Sequence, residues 1–464
     1  RAIRTDLGAC QAASAHAFLL RSTPADGSTL GQAPTSMTLT FDEDVLLQAG
    51  SVTLRSADGS VVLRTGPRSG SSAISGAAGP KLVVGFPTLG NGIYSATWSV
   101  RSADDLHQTT GTVSFAVGKT YRAHALDRRE PPPPLLSSGI RWLDLTGVAL
   151  LLGALLLMVT VVPRSLTSAV EAAGLRTTLW RVLMVIAGVE LLLGIVVLFD
   201  SVGVTNVVGA LTSARLGRLW LLREAGFAAT AALSFQAIRR RGPARPYTIT
   251  AIVLILGALG AIAGSSHVGV GADRPLALLL LLVHLSFAGA WAGAALLLLL
   301  FLVLERTRGV GFTVRPLLRS FGAPAACCVA VVSVTGVALA ARQVASIDAL
   351  LTSTYGQILI VKVLAVLTSG LLGLRTTIRL RRSRSAGIGS LSRGIALESA
   401  ALLVALAAAG ALSVGTPARG PAFAPPSPGR PSLVSAQLGD LLESAVLAPN
   451  TVGQSWLRVD VSQT

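Results

Sequence analysis

The sequence predicts a mixed fold: an all-β domain built as a Greek-key barrel or sandwich, then an all-α bundle of eight transmembrane helices, then a short C-terminal β segment. Three observations predict it. Apolar residues alternate with period two over 16–117, eight later windows are apolar and long enough to cross a bilayer, and arginine gathers in every second connection between those windows. The organisation that follows is a leader segment over 1–15, the β-domain over 16–118 and a Pro-rich linker over 119–137. The helical membrane domain then covers 138–415, and a second Pro-rich linker with a partial extracytoplasmic β segment covers 416–464.

In the leader, Ala13-Ser14-Ala15 has the small-residue spacing that precedes a signal-peptidase cut, which would make His16 a new N-terminus. An export signal also needs an apolar core, and residues 1–12 do not supply one, so the signal is expected to be incomplete or altered here. Leu7-Gly8-Ala9-Cys10 has the outline of a lipoprotein site, but Arg4 and Asp6 stand where its apolar stretch belongs.

Within the β-domain, Met37, Leu39 and Phe41 alternate, as do Tyr94, Ala96, Trp98 and Val100, and Val113, Phe115 and Val117. Period two puts each set on one strand face. Asp58-Gly59 between Val52/Leu54 and Val61/Leu63 is a hairpin signal. Short strands with regular turns at this length suggest a sandwich or barrel. The linker ends in Pro131–Pro134, a stiff spacer.

The chain is 51% hydrophobic and 13% charged, where soluble domains carry about 25% charged residues. The eight windows are Leu143–Val162, Val182–Phe199, Leu219–Ile238, Ile249–Gly264, Pro275–Leu304, Phe321–Ala341, Gln357–Leu374 and Ile395–Val414. The net charge of +17 suggests nucleic acid until its location is considered. One set of connections holds Arg164, Arg176, Arg239, Arg240, Arg241, Arg245, Arg306, Arg308, Arg315, Arg319, Arg375, Arg379, Arg381, Arg382, Arg384 and Arg393. The other holds only Arg215, Arg218, Arg274 and Arg342. Positive connections stay in the cytoplasm, so both soluble ends are expected outside and no nucleic-acid partner is implied.

The membrane region reads as a duplication. Thr212-Ser213 leading to Gly217 and Arg223 matches Thr352-Ser353 leading to Gly356 and Lys362, with glycine and cation six residues apart in both. The offset spans four helices, so the halves would be parallel 4+4 repeats. In the tail, Leu441–Val461 alternates as strands do but is too short to bury its own core.

The five histidines are His16, His107, His124, His267 and His284. On a strand, Asp105 and His107 would share a face. A cut after Ala15 would give His16 a free α-amine beside its own imidazole. Two imidazoles, an amine and a carboxylate form a nitrogen–oxygen set that suits square-planar Cu(II). A solvated strand end is the other reading of Asp-x-His, and the residues alone leave both open.

His16-Ala17-x-Leu19-x-x-Ser22-x-Pro24-Ala25-x-Gly27-Ser28-x-Leu30 and Leu39-x-Phe41 resemble the opening of bacterial CopC copper-binding proteins. Gly92-x-Tyr94-x-x-x-Trp98, Asp105-Leu106-His107 and Gly111-Thr112-Val113-Ser114-Phe115 resemble their closing strands, with Leu106 where that family usually has glycine. The resemblance implies a Cu(II) site of His16, Asp105 and His107. A methionine Cu(I) site is not expected, because Met37 is the only methionine in the domain. In the membrane half, His284-Leu-x-x-Ala288-x-Ala290-Trp291-x-Gly293, preceded by His267, resembles the CopD family of copper-resistance and copper-import proteins, with Ala292 and Ala294 as departures. A CopC–CopD fusion is thereby implied.

His284 lies nine residues into its window, about 14 Å deep at 1.5 Å per residue. His267 sits at the outer end of the preceding helix, so the two suit an outer site followed by a deeper one, a copper relay whose metal oxidation state is left open. The alternative for His284 is a packing imidazole bonded to a neighbour. Glu190, Arg223, Glu224, Lys362 and Glu398 read as salt-bridge partners across helices, and His124 as a solvated linker residue. Cys327 and Cys328 point about 100° apart on a helix, so both cannot face one pore.

These features predict a copper-binding protein of the bacterial plasma membrane that captures Cu(II) outside and transports or transfers copper. It is not expected to be an enzyme. No ATP-binding loop or Cys-Pro-Cys is found in the sequence. Its partners would be copper, the bilayer, and a periplasmic copper chaperone or respiratory oxidase. Alternatives are a membrane haem or redox protein, and an assembly factor delivering copper to an oxidase.

Overall fold

The computed structural model describes residues 19–26, 28–41, 45–56, 60–65, 81–102, 108–118, 132–166, 168–202, 207–212, 216–240, 244–266, 274–308, 314–382, 388–415, 417–418, 432–438, 441–448 and 456–463. The chain divides into two compact units: residues 1–126, 194–227 and 254–282, and residues 127–193, 228–253 and 283–464.

The β-domain has eight strands: β1 Leu19–Thr23, β2 Ser28–Leu30, β3 Ser36–Phe41, β4 Val45–Ser56, β5 Val61–Thr65, β6 Lys81–Gly85, β7 Gly92–Ser102 and β8 Gln108–Val117. They form two sheets, β1-β3-β6 and β2-β8-β7-β4-β5, antiparallel except where β2 runs parallel to β8. The period-two residues are the core between them: Met37, Leu39, Ala96, Val100, Val113 and Phe115 are fully buried. Trp98 meets Phe41 edge-on at 5.2 Å, and Tyr94 stacks on Phe115 at 5.7 Å. Gly111 pairs with Trp98 across β7 and β8, and a methyl there would overlap the indole. The expected β4–β5 hairpin is present, with Arg55 opposite Val61. Its Asp58-Gly59 turn lies outside the described residues.

The helices are α1 Leu135–Leu156, continued by a π-helical turn Leu157–Val161 into α2 Val162–Ser165; α3 Ala169–Val202; α4 Val207–Thr212; α5 Leu216–Arg240; α6 Ala244–Gly264; α7 Arg274–Arg308; α8 Val314–Gln343; α9 Ile347–Thr352; α10 Thr354–Arg382; and α11 Ile388–Val414. The π turn ends just before Pro163, a residue with no N–H to give to a regular ladder. Among the described residues seven helices, not eight, are long and apolar enough to cross a membrane. The exception is α5: it is 25 residues long, but Arg218, Arg223, Glu224 and Gln236 break its apolar run.

Two six-residue helices, α4 and α9, were not expected. Each precedes a long helix, so α1–α6 and α7–α11 both run long, long, short, long, long. A methyl on Gly217 would overlap the carbonyl of Leu211 at the end of α4, and one on Gly356 would overlap that of Leu350 in α9. Both junctions therefore close glycine against a carbonyl six residues earlier. In the second, Ser353 caps α10 by accepting from Gly356 N at 2.9 Å.

Helices α1 and α7 touch backbone to backbone. A methyl on Gly293 would overlap the Ala149 carbonyl, and one on Gly153 would overlap the Gly293–Ala294 peptide. The Gly289/Gly293 spacing makes this approach possible. The C-terminal strands β9 Ser432–Leu438, β10 Leu441–Ala448 and β11 Trp456–Gln463 form an antiparallel sheet in the order β11-β10-β9.

Candidate functional site

Four of the five expected copper residues, His16, Asp105, His107 and His267, lie outside the described residues, as does His124. What the structure gives for the first site is its frame. β7 and β8 are in register down to Arg101 opposite Gln108, and 103–107 joins these two paired strands. Asp26 Oδ1 accepts from Ser114 N at 2.8 Å, which ties the segment between β1 and β2 to β8. Among the described residues no three His, Cys, Asp or Glu side chains are grouped to hold a metal.

His284 is the fifth. It lies ten residues from the start of α7 and is 7% exposed. Its Nδ1 is 2.9 Å from the hydroxyl of Thr335 on α8. That hydroxyl has one proton, and it is directed at the Val331 carbonyl, 2.7 Å away. It also lies 3.3 Å from the Val332 carbonyl; in the tautomer in which Thr335 donates to a carbonyl and accepts from Nδ1–H, the lone pair is on Nε2. A metal-ligating histidine uses this same arrangement, one nitrogen anchored and the other available. The ring packs on Gly336, where an added methyl would come within 3.3 Å of Cε1. Lys362 of α10 is near enough to act electrostatically on the imidazole.

Two turns along α7, buried Trp291 neighbours the carboxyl of Glu398 on α11. Glu398 is 6% exposed and fills the space left by Gly373 of α10. Thus α7, α8, α10 and α11 carry polar groups at two depths. Thr335 sits fifty-one residues from His284, and sequence reasoning missed it because a threonine in an apolar run has no distinctive spacing. The Gly373–Glu398 pair was equally silent.

Among the residues expected to pair across helices, two meet within one helix. Arg223 pairs with its chain neighbour Glu224 and lies over the Phe227 ring, 5.1 Å from its centroid. Gly194 of α3 leaves room for both side chains, and Trp220 Nε1 donates to its carbonyl at 3.2 Å. Among the described residues no lysine or arginine pairs with Glu398. Cys328 is buried while Cys327 is exposed, as their helical separation requires.

Comparison with known proteins follows these two regions. Residues 19–118 match the CopC domain, and residues 315–412 match Copper resistance protein D. Among solved structures, CopC from Methylosinus trichosporium OB3b is 22% identical, with 24% of this chain and 100% of that chain covered and a TM-score of 0.20. The copper resistance protein PcoC from Escherichia coli is 24% identical, with 22% of this chain and 98% of that one covered and a TM-score of 0.17. No curated protein matches. With seven apolar helices among the described residues beyond the first domain, the chain is a multi-pass membrane protein in which a region matching the CopC domain precedes one matching Copper resistance protein D, consistent with a CopC–CopD fusion.

Proposed function

We propose that this copper-handling membrane protein captures Cu(II) in its β-domain and passes copper inward through its helices, with His284 as a station on the way. The observation that carries the reading is the His284–Thr335 pair, a buried imidazole whose Nδ1 is held at hydrogen-bond distance by a threonine hydroxyl. His16, Asp105 and His107 are the outer ligands in this reading, His267 is a second membrane-side ligand, and both soluble ends face outward as the arginine distribution favours. The chain is a carrier rather than an enzyme. A periplasmic chaperone or an oxidase would be its protein partner.

The helical halves are, in the same reading, parallel repeats. What supports this is the matching element order and the two glycine–carbonyl junctions, with Arg223 and Lys362 each six residues beyond the glycine.

The test measures cell-associated copper by mass spectrometry at matched expression. His284→Gln should stay in the membrane with its outer site loaded and lose the copper phenotype, and His107→Ala should lose it through the outer site. Wild-type accumulation in His284→Gln would reject the relay.

A further inference from the structure

Glu398 sits ten residues from Ile388 and sixteen from Val414 on α11, so about 15 Å of helix lies on one side and about 24 Å on the other. Three elements surround it. From α10, Gly373 faces it: an added methyl would come 2.9 Å from Oε1 and 3.3 Å from Cδ, so the missing side chain is the volume the carboxyl occupies. From α7, the Trp291 indole is its hydrogen-bonding neighbour. α1 packs along α11, with Gly410 against Ser138 and Trp142. The titratable and charged groups on these helices are Tyr355, Lys362, Arg375, Arg379, Arg381 and Arg382 on α10, Arg274, His284, Glu305, Arg306 and Arg308 on α7, Arg141 and Asp144 on α1, and Arg393 on α11 itself. Among the described residues none of them ion-pairs with Glu398.

Two more buried polar groups lie on α10 and α11. Ser369, on the Gly373 face of α10 one turn away, and Ser399, beside Glu398, are buried, and neither hydroxyl has a hydrogen-bond partner among the described residues. The matching positions of α5 differ: Ser234 stands where α10 has Gly373, and its hydroxyl donates to the Thr230 carbonyl at 2.7 Å. The first half thus closes these groups within one helix, whereas the second opens a gap and fills it with an acid.

The geometry points to Glu398 as a proton-binding site, a membrane carboxyl that takes up and releases one proton at the α7–α10–α11 contact. An ionised carboxylate without a cationic partner is strongly disfavoured in such surroundings, so the resting group carries its proton and is charged only when that proton leaves. A carboxyl is an oxygen donor that suits a proton or a hard cation, whereas Cu(I) prefers sulfur and nitrogen. This inference goes beyond the copper reading and does not rest on it.

The full chain in liposomes, treated with the carboxyl reagent dicyclohexylcarbodiimide and mapped by mass spectrometry, tests the site. The reagent modifies protonated carboxyls in apolar surroundings. Glu398 should be labelled, with yield falling several-fold from acid to alkaline pH and unchanged by sodium. Glu398→Gln should abolish that label, and Gly373→Ala, which crowds the carboxyl but leaves it in place, should reduce it several-fold. No label at any pH, a label indifferent to pH, protection by sodium, or full labelling in Gly373→Ala would each overturn the proposal. The wild-type and Gly373→Ala arms decide the matter even if Glu398→Gln does not fold. No copper is present, so failure here is separable from failure of the His284 relay.

Discussion

His284 Nδ1 lies 2.9 Å from the Thr335 hydroxyl, which itself lies 2.7 Å from the carbonyl of Val331, so a hydroxyl that donates to that carbonyl accepts the Nδ1–H and leaves Nε2 bare. Thr335→Val keeps the shape and removes the acceptor. A buried donor left unsatisfied costs about 1–3 kcal/mol, so Thr335→Val should lower Tm in detergent while Thr335→Ser stays near wild type. Copper accumulation should follow the same order. Equal Tm values for the two variants would show that the hydrogen bond does not hold the ring.

The outer site makes a separate demand. Protein beginning at His16 should bind one Cu(II), and His107→Ala should lose most of that affinity, followed by titration with electron paramagnetic resonance. Protein retaining 1–15 should bind more weakly, because the His16 amine is then part of a peptide bond. Unchanged spectra in His107→Ala would remove the assignment.

Helix contact through glycine is open to direct measurement. Gly293→Ala puts a methyl into the Ala149 carbonyl and should destabilise by about 1–3 kcal/mol or more through overpacking. Gly174→Ala in α3 meets nothing within 4 Å and should be neutral or stabilising by up to about 1 kcal/mol. Thermal unfolding of the pair checks this, and similar values would argue against the α1–α7 approach.

Haem redox chemistry predicts paired axial histidines on facing helices. The purified protein should show no Soret band, and a band lost in His284→Gln would favour the redox alternative over copper transfer.

The β-domain was legible because a strand with one buried face writes its burial at every second residue. Met37, Leu39 and Phe41 could be read directly, and so could Trp98 with its neighbours. The long helices were legible from apolar length, except that α5 hides a buried Arg223–Glu224 pair inside an otherwise plausible span. Asp105 and His107, which lie outside the described residues, are expectations that rest on their spacing together with the CopC resemblance. Thr335, and the Gly373 and Trp291 surroundings of Glu398, could not be read, since each acquires its meaning from a partner on another helix, and pairings between helices leave no periodic mark. The short helices α4 and α9 escaped notice for a related reason: six residues complete too few turns to show a period.

At Gly217 and Gly356 the chain depends on the absence of a single methyl group, and the surface it meets is a peptide oxygen that every residue type carries. An ancestral segment copied twice would therefore need to preserve little besides that vacancy. Its descendants could drift in letter after letter, one keeping an arginine with an acidic neighbour and the other a lysine beside valine, while the bend itself persisted. Kinship of this kind fades from an alignment long before it fades from the backbone.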